Sequence, residues 1–128
     1  MPVIITDTPL SAGSRYATKA SMASGEMSGP IYLDGPGGAS ITAVPGASCT
    51  IRVFKSSSSP DDIKADLLNG SLSYANLIAG TQPTKSVWML WKPAAVTAIT
   101  NEGPIENEGD TAVIATCTGG TGILEVAR

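Results

Sequence analysis

The sequence predicts an all-β protein: an antiparallel β-sandwich or jelly-roll-like domain with one short helix and an extended N-terminal arm. Three observations point there. Gly (14) and Pro (9) approach a fifth of the 128 residues, against an average usage of roughly 12%, so turns are frequent. The apolar residues, 42% of the chain, are mainly Ala, Val and Ile, with Phe54 the sole phenylalanine. From Gly29 onward, short runs of alternating apolar and polar residues are separated by turn signals, the spacing of a sandwich or small barrel. A chain of this length buries roughly 65% of its unfolded surface, enough for one core without staples.

Residues 1–28 are set apart from this pattern. After the apolar run Val3-Ile4-Ile5 the segment is rich in Ser, Ala, Gly and Thr, with neither a helical stripe nor sustained alternation. It reads as an extended arm or irregular segment, with simple terminal disorder as the alternative, and drawn out it would reach on the order of 90 Å. Val3, Ile4, Ile5, Tyr16, Met22 and Met27 give such an arm side chains to bury on a partner, which a purely solvated tail does not need. Residues 29–128 are then the folded domain.

Within that domain, Pro30–Leu33 is a short strand closed by Asp34-Gly35-Pro36-Gly37-Gly38, a strong turn signal. Ser40–Val44 alternates and stops at Pro45-Gly46. Cys49–Lys55 is the clearest strand: Cys49, Ile51 and Val53 face one way, and Thr50, Arg52 and Phe54 the other. The linking Pro45-Gly46-Ala47-Ser48 predicts a hairpin. Ser59-Pro60-Asp61-Asp62 is a helix start, with an N-cap serine, proline at the first helical position and acids in the first turn. Ile63, Leu67 and Leu68 supply its apolar stripe and Asn69-Gly70 its stop. Residues 71–86 read as a loop with at most a short strand. Val87–Trp91 is apolar on both faces, a strand covered on both sides or lying at an interface. Lys92-Pro93 ends it, and Ala95–Thr100 alternates again. An acidic, turn-rich loop occupies Asn101–Asp110. Thr111–Cys117 and Gly122–Ala127 form a closing hairpin over Gly119-Gly120-Thr121. Gly29-Pro30-Ile31 recurs as Gly103-Pro104-Ile105, a match short enough to arise by chance.

Composition excludes much chemistry. Without histidine there is no Ser-His-Asp or Cys-His arrangement and no His-ligated metal. Gly35-Pro36-Gly37-Gly38 lacks the lysine and helix of a phosphate cradle, so it reads as a turn. Asp61, Asp62 and Asp66 are explained by helix capping. Glu102, Glu106, Glu108 and Asp110 do not have EF-hand spacing and read as a solvated loop, with weak Ca²⁺ binding as the alternative. Catalytic, cofactor and metal residues are therefore expected to be none, and the chain is read as not an enzyme. Charge is sparse, with a net of −3 and no basic cluster that would neutralise phosphates, so nucleic acid is not an expected partner. No apolar run is long enough to span a membrane. The N-terminus lacks a secretory signal pattern, so a cytosolic origin is expected. Cys49 and Cys117 each sit in an alternating run. They read as small buried hydrophobes, with a disulfide or reactive thiol as the alternative.

Trp88 and Trp91, at i and i+3 on a strand, point to opposite faces. One can be central to the core; the other must cover a second face or meet a partner. Both join the six arm residues as candidate interface positions.

The outline resembles a domain of tailed-bacteriophage virion proteins. The residues that carry the resemblance are the Gly-Pro-led strand at Gly29-Pro30 and the pair of strands Ala39–Gly46 and Cys49–Phe54. Ser58-Ser59-Pro60, the Trp88–Trp91 strand before a proline, and the terminal Thr111–Thr121 pattern complete it. The match covers residues 29–128, although 63–86 are longer here than in that pattern. It implies a capsid decoration (cement) protein that binds the major capsid protein on the outer head lattice, often as a homotrimer. Such a protein is assembled in the host cytoplasm and carried on the virion. A tail- or fibre-associated carbohydrate-binding module is the alternative, to be favoured by a tryptophan on an exposed concave face.

Overall fold

The computed structural model describes residues 4–11, 15–33, 38–91, 95–106 and 111–127. In chain order the elements are β1 (Ile4–Ser11), β2 (Arg15–Met22), β3 (Glu26–Met27), β4 (Ile31–Tyr32), β5 (Gly38–Pro45) and β6 (Thr50–Ser56). Then come α1 (Pro60–Asn69), α2 (Tyr74–Ala79), β7 (Met89–Leu90), β8 (Thr100–Glu106), β9 (Ala112–Thr118) and β10 (Gly122–Ala127). Two antiparallel sheets result. Sheet A has the order β1-β2-β10-β5-β8; sheet B has β3-β9-β6-β7, with β4 also paired to β9. The expected all-β architecture of two packed antiparallel sheets is present.

Alternation builds the interior. In sheet A the register sets Leu124 between Ala20 and Ala43, and Val126 between Thr18 and Ile41, so these residues line the inner face. Sheet B answers with Cys49, Ile51, Val53, Val113, Ala115 and Cys117, and these side chains form one buried cluster with Met22, Ile31 and Val96. The facing predicted for β6 holds, because Phe54 and Ser56 are buried on the other side. That other side of sheet B is covered by the helices. Phe54, Ala112 and Ile114 pack there against Ile63 of α1, Leu72, Leu77 of α2, and Trp88. The molecule is thus a sandwich with a third, helical layer on one face.

Several expectations are corrected. The described residues of the stretch expected as an arm, 4–11 and 15–28, are not outside the domain. β1 and β2 pair along their length and β2 joins β10, β3 joins β9, and Ala20, Met22 and Ser28 are buried. Small residues conceal this strand in the sequence, since Ala and Thr give little hydrophobic contrast at period two. Both predicted hairpins are instead crossovers: β5 lies in sheet A and β6 in sheet B, and β9 lies in sheet B and β10 in sheet A. The two turns pack backbone to backbone at one end of the sandwich. Gly46 N–H donates to the Thr121 carbonyl at 2.7 Å. Gly119 and Gly120 have φ of 76° and 71°, and an added Cβ would stand 2.5 Å from the Ser48 oxygen and 2.3 Å from the Ala47 oxygen. Only glycine permits that approach. A Pro-Gly or Gly-Gly turn marks a chain reversal without saying whether the strands pair or face each other across the core.

The single predicted helix is α1, with its Ser59 N-cap accepting from Asp62 N–H, proline at its start and Gly70 at its end. A second helix, α2, lies within the expected loop. It starts at an N-capping Ser73 and stops at a left-handed Gly80. Asn101–Glu106, expected as loop, belong to β8 beside β5. The expected strand 95–100 reduces to a bridge between Val96 and Ile51, with Thr100 opening β8. Leu68, assigned to the apolar stripe of α1, is 80% exposed. The turn at 34–37, Lys92-Pro93 and the acidic residues 107–110 lie outside the described residues, as does Val3.

Candidate interaction surface

The segment joining α2 to β7 is fixed by a buried polar relay. The Asp66 carboxylate, fully buried, accepts from Lys85 N–H at 3.0 Å, Ser86 N–H at 2.6 Å, the Ser86 hydroxyl at 2.6 Å and the Asn69 amide at 3.2 Å. Trp88 Nε1 donates to that same Ser86 oxygen at 3.0 Å. Burial alone would raise the Asp66 pKa. The donors from Ser86, Lys85 and Asn69 outweigh it and hold the group at about 2. Asp66 is thus an organising core acid, not a helix-capping one. Next to it, Gln82 clamps both backbone groups of Trp88, donating to its carbonyl at 2.6 Å and accepting its N–H at 2.8 Å. Val87 N–H donates to the Ser58 hydroxyl at 2.9 Å.

These restraints decide where the Val87–Trp91 run points. Trp88 is 3% exposed and buried in the helix-side cluster. Trp91, half-buried, packs against the sandwich core, and its backbone N–H donates to the Val53 carbonyl at 2.9 Å. The two indoles serve opposite sides of sheet B, as the i, i+3 spacing implied. What remains outside is Val87 (64% exposed), Met89 (58%) and Leu90 (47%). Met89 and Leu90 form β7, paired to Lys55 and Phe54 of β6, and they end sheet B on that side among the described residues. A cleft of about 230 Å³ runs from Leu90 to Ile78 and Gln82, with Arg52 on its wall. A second, of about 250 Å³, lies between Met89, Val87 and Lys55. The surface is an apolar strip on a strand edge bordered by basic side chains.

Of the eight candidate interface residues, Val3 lies outside the described residues. Met22 is buried in the sandwich core, and Met27 packs half-buried against the helix-side cluster. Trp88 is likewise a core residue. Ile4 and Ile5 lie in β1 and Tyr16 in β2, paired in sheet A. Val87, Met89 and Leu90 are hidden, in the sequence, by the tryptophans at 88 and 91 among them. Their signal is the uninterrupted apolar run, which exceeds what one buried face requires.

Among the described residues no group of three or more His, Cys, Asp or Glu side chains is placed to hold a metal ion, and no helix is long and apolar enough to cross a membrane. Comparison with family models, with curated proteins and with solved structures gives no match.

Proposed function

We propose that the chain is a non-enzymatic structural protein of a tailed-phage virion, a jelly-roll-like decoration domain that binds the outer capsid surface and stabilises the head lattice, with a homotrimer as its working form. The observation that carries this reading is the edge of sheet B. Val87, Met89 and Leu90 stand exposed on a segment whose neighbours are locked by the Asp66 relay and the Gln82 clamp. A rigid apolar strip on a strand edge that is unpaired among the described residues is costly in water and is relieved by covering it with protein. The absence of histidine from the sequence fits a task of burying surface over one of moving protons. The sugar-binding alternative loses its main requirement, because Trp88 is buried and Trp91 is turned to the core.

The test is co-sedimentation with heads assembled from the major capsid protein of the same phage. Met89→Asp with Leu90→Asp should weaken binding at least tenfold while leaving the thermal midpoint of the free protein nearly unchanged. Unimpaired binding of that double variant would remove β7 from the interface, and failure of the native chain to sediment with heads would remove the capsid reading. Deleting residues 1–28 is not a clean test, since it would strip β1, β2 and β3 from the two sheets.

A further inference from the structure

We propose that Cys49 and Cys117 form an intramolecular disulfide that staples the two sheet-to-sheet crossovers together under oxidising conditions. The placement is specific. Cys49 closes the β5–β6 crossover and Cys117 lies at the end of β9, just before the β9–β10 crossover. Ile51 is the register partner of Cys117, so Cys49 is its diagonal neighbour on the same inner face. The sulfurs stand 2.9 Å apart, both buried, and need to close only to the bonded separation of about 2 Å. Gly122 leaves the room: a Cβ there would meet Cys49 Sγ at 3.0 Å.

The backbone around the pair is already held by glycine contacts that no side chain would allow. Gly46, Gly119 and Gly120 bring the two turns together and hold the pair's ends of the two strands side by side. Two thiols this close, in a corner this constrained, are more than two small core hydrophobes.

The chemistry balances with a small disulfide such as oxidised glutathione. A thiolate from one cysteine attacks it, releasing one glutathione thiol and leaving a mixed disulfide. The second cysteine attacks the protein sulfur, forming the Cys49–Cys117 bond and expelling the second glutathione thiol. Two protein thiols are oxidised and one glutathione disulfide is reduced. In the folded protein burial, then the neighbouring Cys49 and Glu26, push the Cys117 thiol up to about 12, so little thiolate exists there. The exchange therefore proceeds as the chain folds or opens, and the folded reduced protein resists alkylation.

The experiment is refolding of the native chain in a redox buffer of oxidised and reduced glutathione, followed by thiol titration in denaturant and peptide mapping without reductant. The expected result is no titratable thiol and a linked pair of peptides carrying Cys49 and Cys117. Because the bond would close a loop spanning 68 positions, the oxidised form should melt about 5–10 °C above the reduced form. That difference should be absent in the Cys49→Ala, Cys117→Ala double variant. Two titratable thiols per chain after oxidative refolding, or a linkage only between chains, would overturn the proposal. The mapping needs no variant to fold.

Discussion

The outward faces of the two sheets have opposite fates. On sheet A, β10 alternates: Leu124 and Val126 are buried, while Ile123, Glu125 and Ala127 look outward and are half-exposed. On sheet B, Ala112 to Cys117 of β9 are buried without a break. Nothing in the strands' own propensities separates them, since both are rich in β-branched and small residues. The difference comes from the stretch between β6 and β7, which folds into α1 and α2 and lies over sheet B. Ile114, pointing out of sheet B, is therefore in a core, and Ile123, pointing out of sheet A, is at a surface.

The strongest way to break this comparison is to truncate one isoleucine on each face. Ile114 is fully buried between β9 and the helices, so Ile114→Ala should cost roughly 4 kcal/mol through lost burial and an unfilled cavity. Ile123→Ala, on the open face, should cost roughly 1 kcal/mol. Urea midpoints for the two variants measure the gap. Equal losses would mean that the helices do not seal sheet B, or that something seals sheet A as well.

A second test addresses how the helical layer is attached. Asp66→Asn sets an amide NH₂ against the donors of Ser86 and Lys85. It should destabilise the fold by roughly 3 kcal/mol, the cost of leaving buried polar groups unpaired. The pH dependence has a definite sign. Because the folded pKa is about 2 against an ordinary 3.8, the carboxylate's contribution is fully present above about pH 4. It is lost as pH falls through 2. Denaturation curves between about pH 5 and pH 2 should show that loss in the native chain and a flatter dependence in the D66N variant.

These comparisons also show which parts of the molecule are legible in its sequence. The strand facing of β6, the helix α1 and its caps, and the sandwich class follow from period, capping residues and turn frequency. Each is a local property. Sheet membership is not: Pro45-Gly46 and Gly119-Gly120 reverse the chain equally well in a hairpin or across a core. Burial of both faces of β9 depends on Ile63 and Leu77, carried by helices far from that strand in the chain. The N-terminal strands escape a reading by contrast because Ala17, Thr18 and Ala20 are small or polar. Of the interaction surface, the run Val87–Trp91 is visible as a feature. Which of its residues point outward is decided by Asp66, Ser86 and Gln82, polar side chains whose partners a sequence does not reveal.

The smallest expected effect sharpens the other side of the comparison. On the outer face of sheet A, Lys19 and Glu125 are register partners with Nζ and Oε2 3.6 Å apart, their side chains 60% and 39% exposed. Water and salt screen such a pair, and holding two long side chains in one geometry costs entropy, so a double-mutant cycle should return a coupling of about 0.5 kcal/mol or less. Raising the ionic strength to about 1 M, where the screening length is about 3 Å, should remove most of it. A coupling above about 2 kcal/mol that survived high salt would place the pair in a low-dielectric setting. In that case the outer face of sheet A would itself be covered in solution, with self-association as the natural source of that cover and sedimentation velocity as the measurement that detects it.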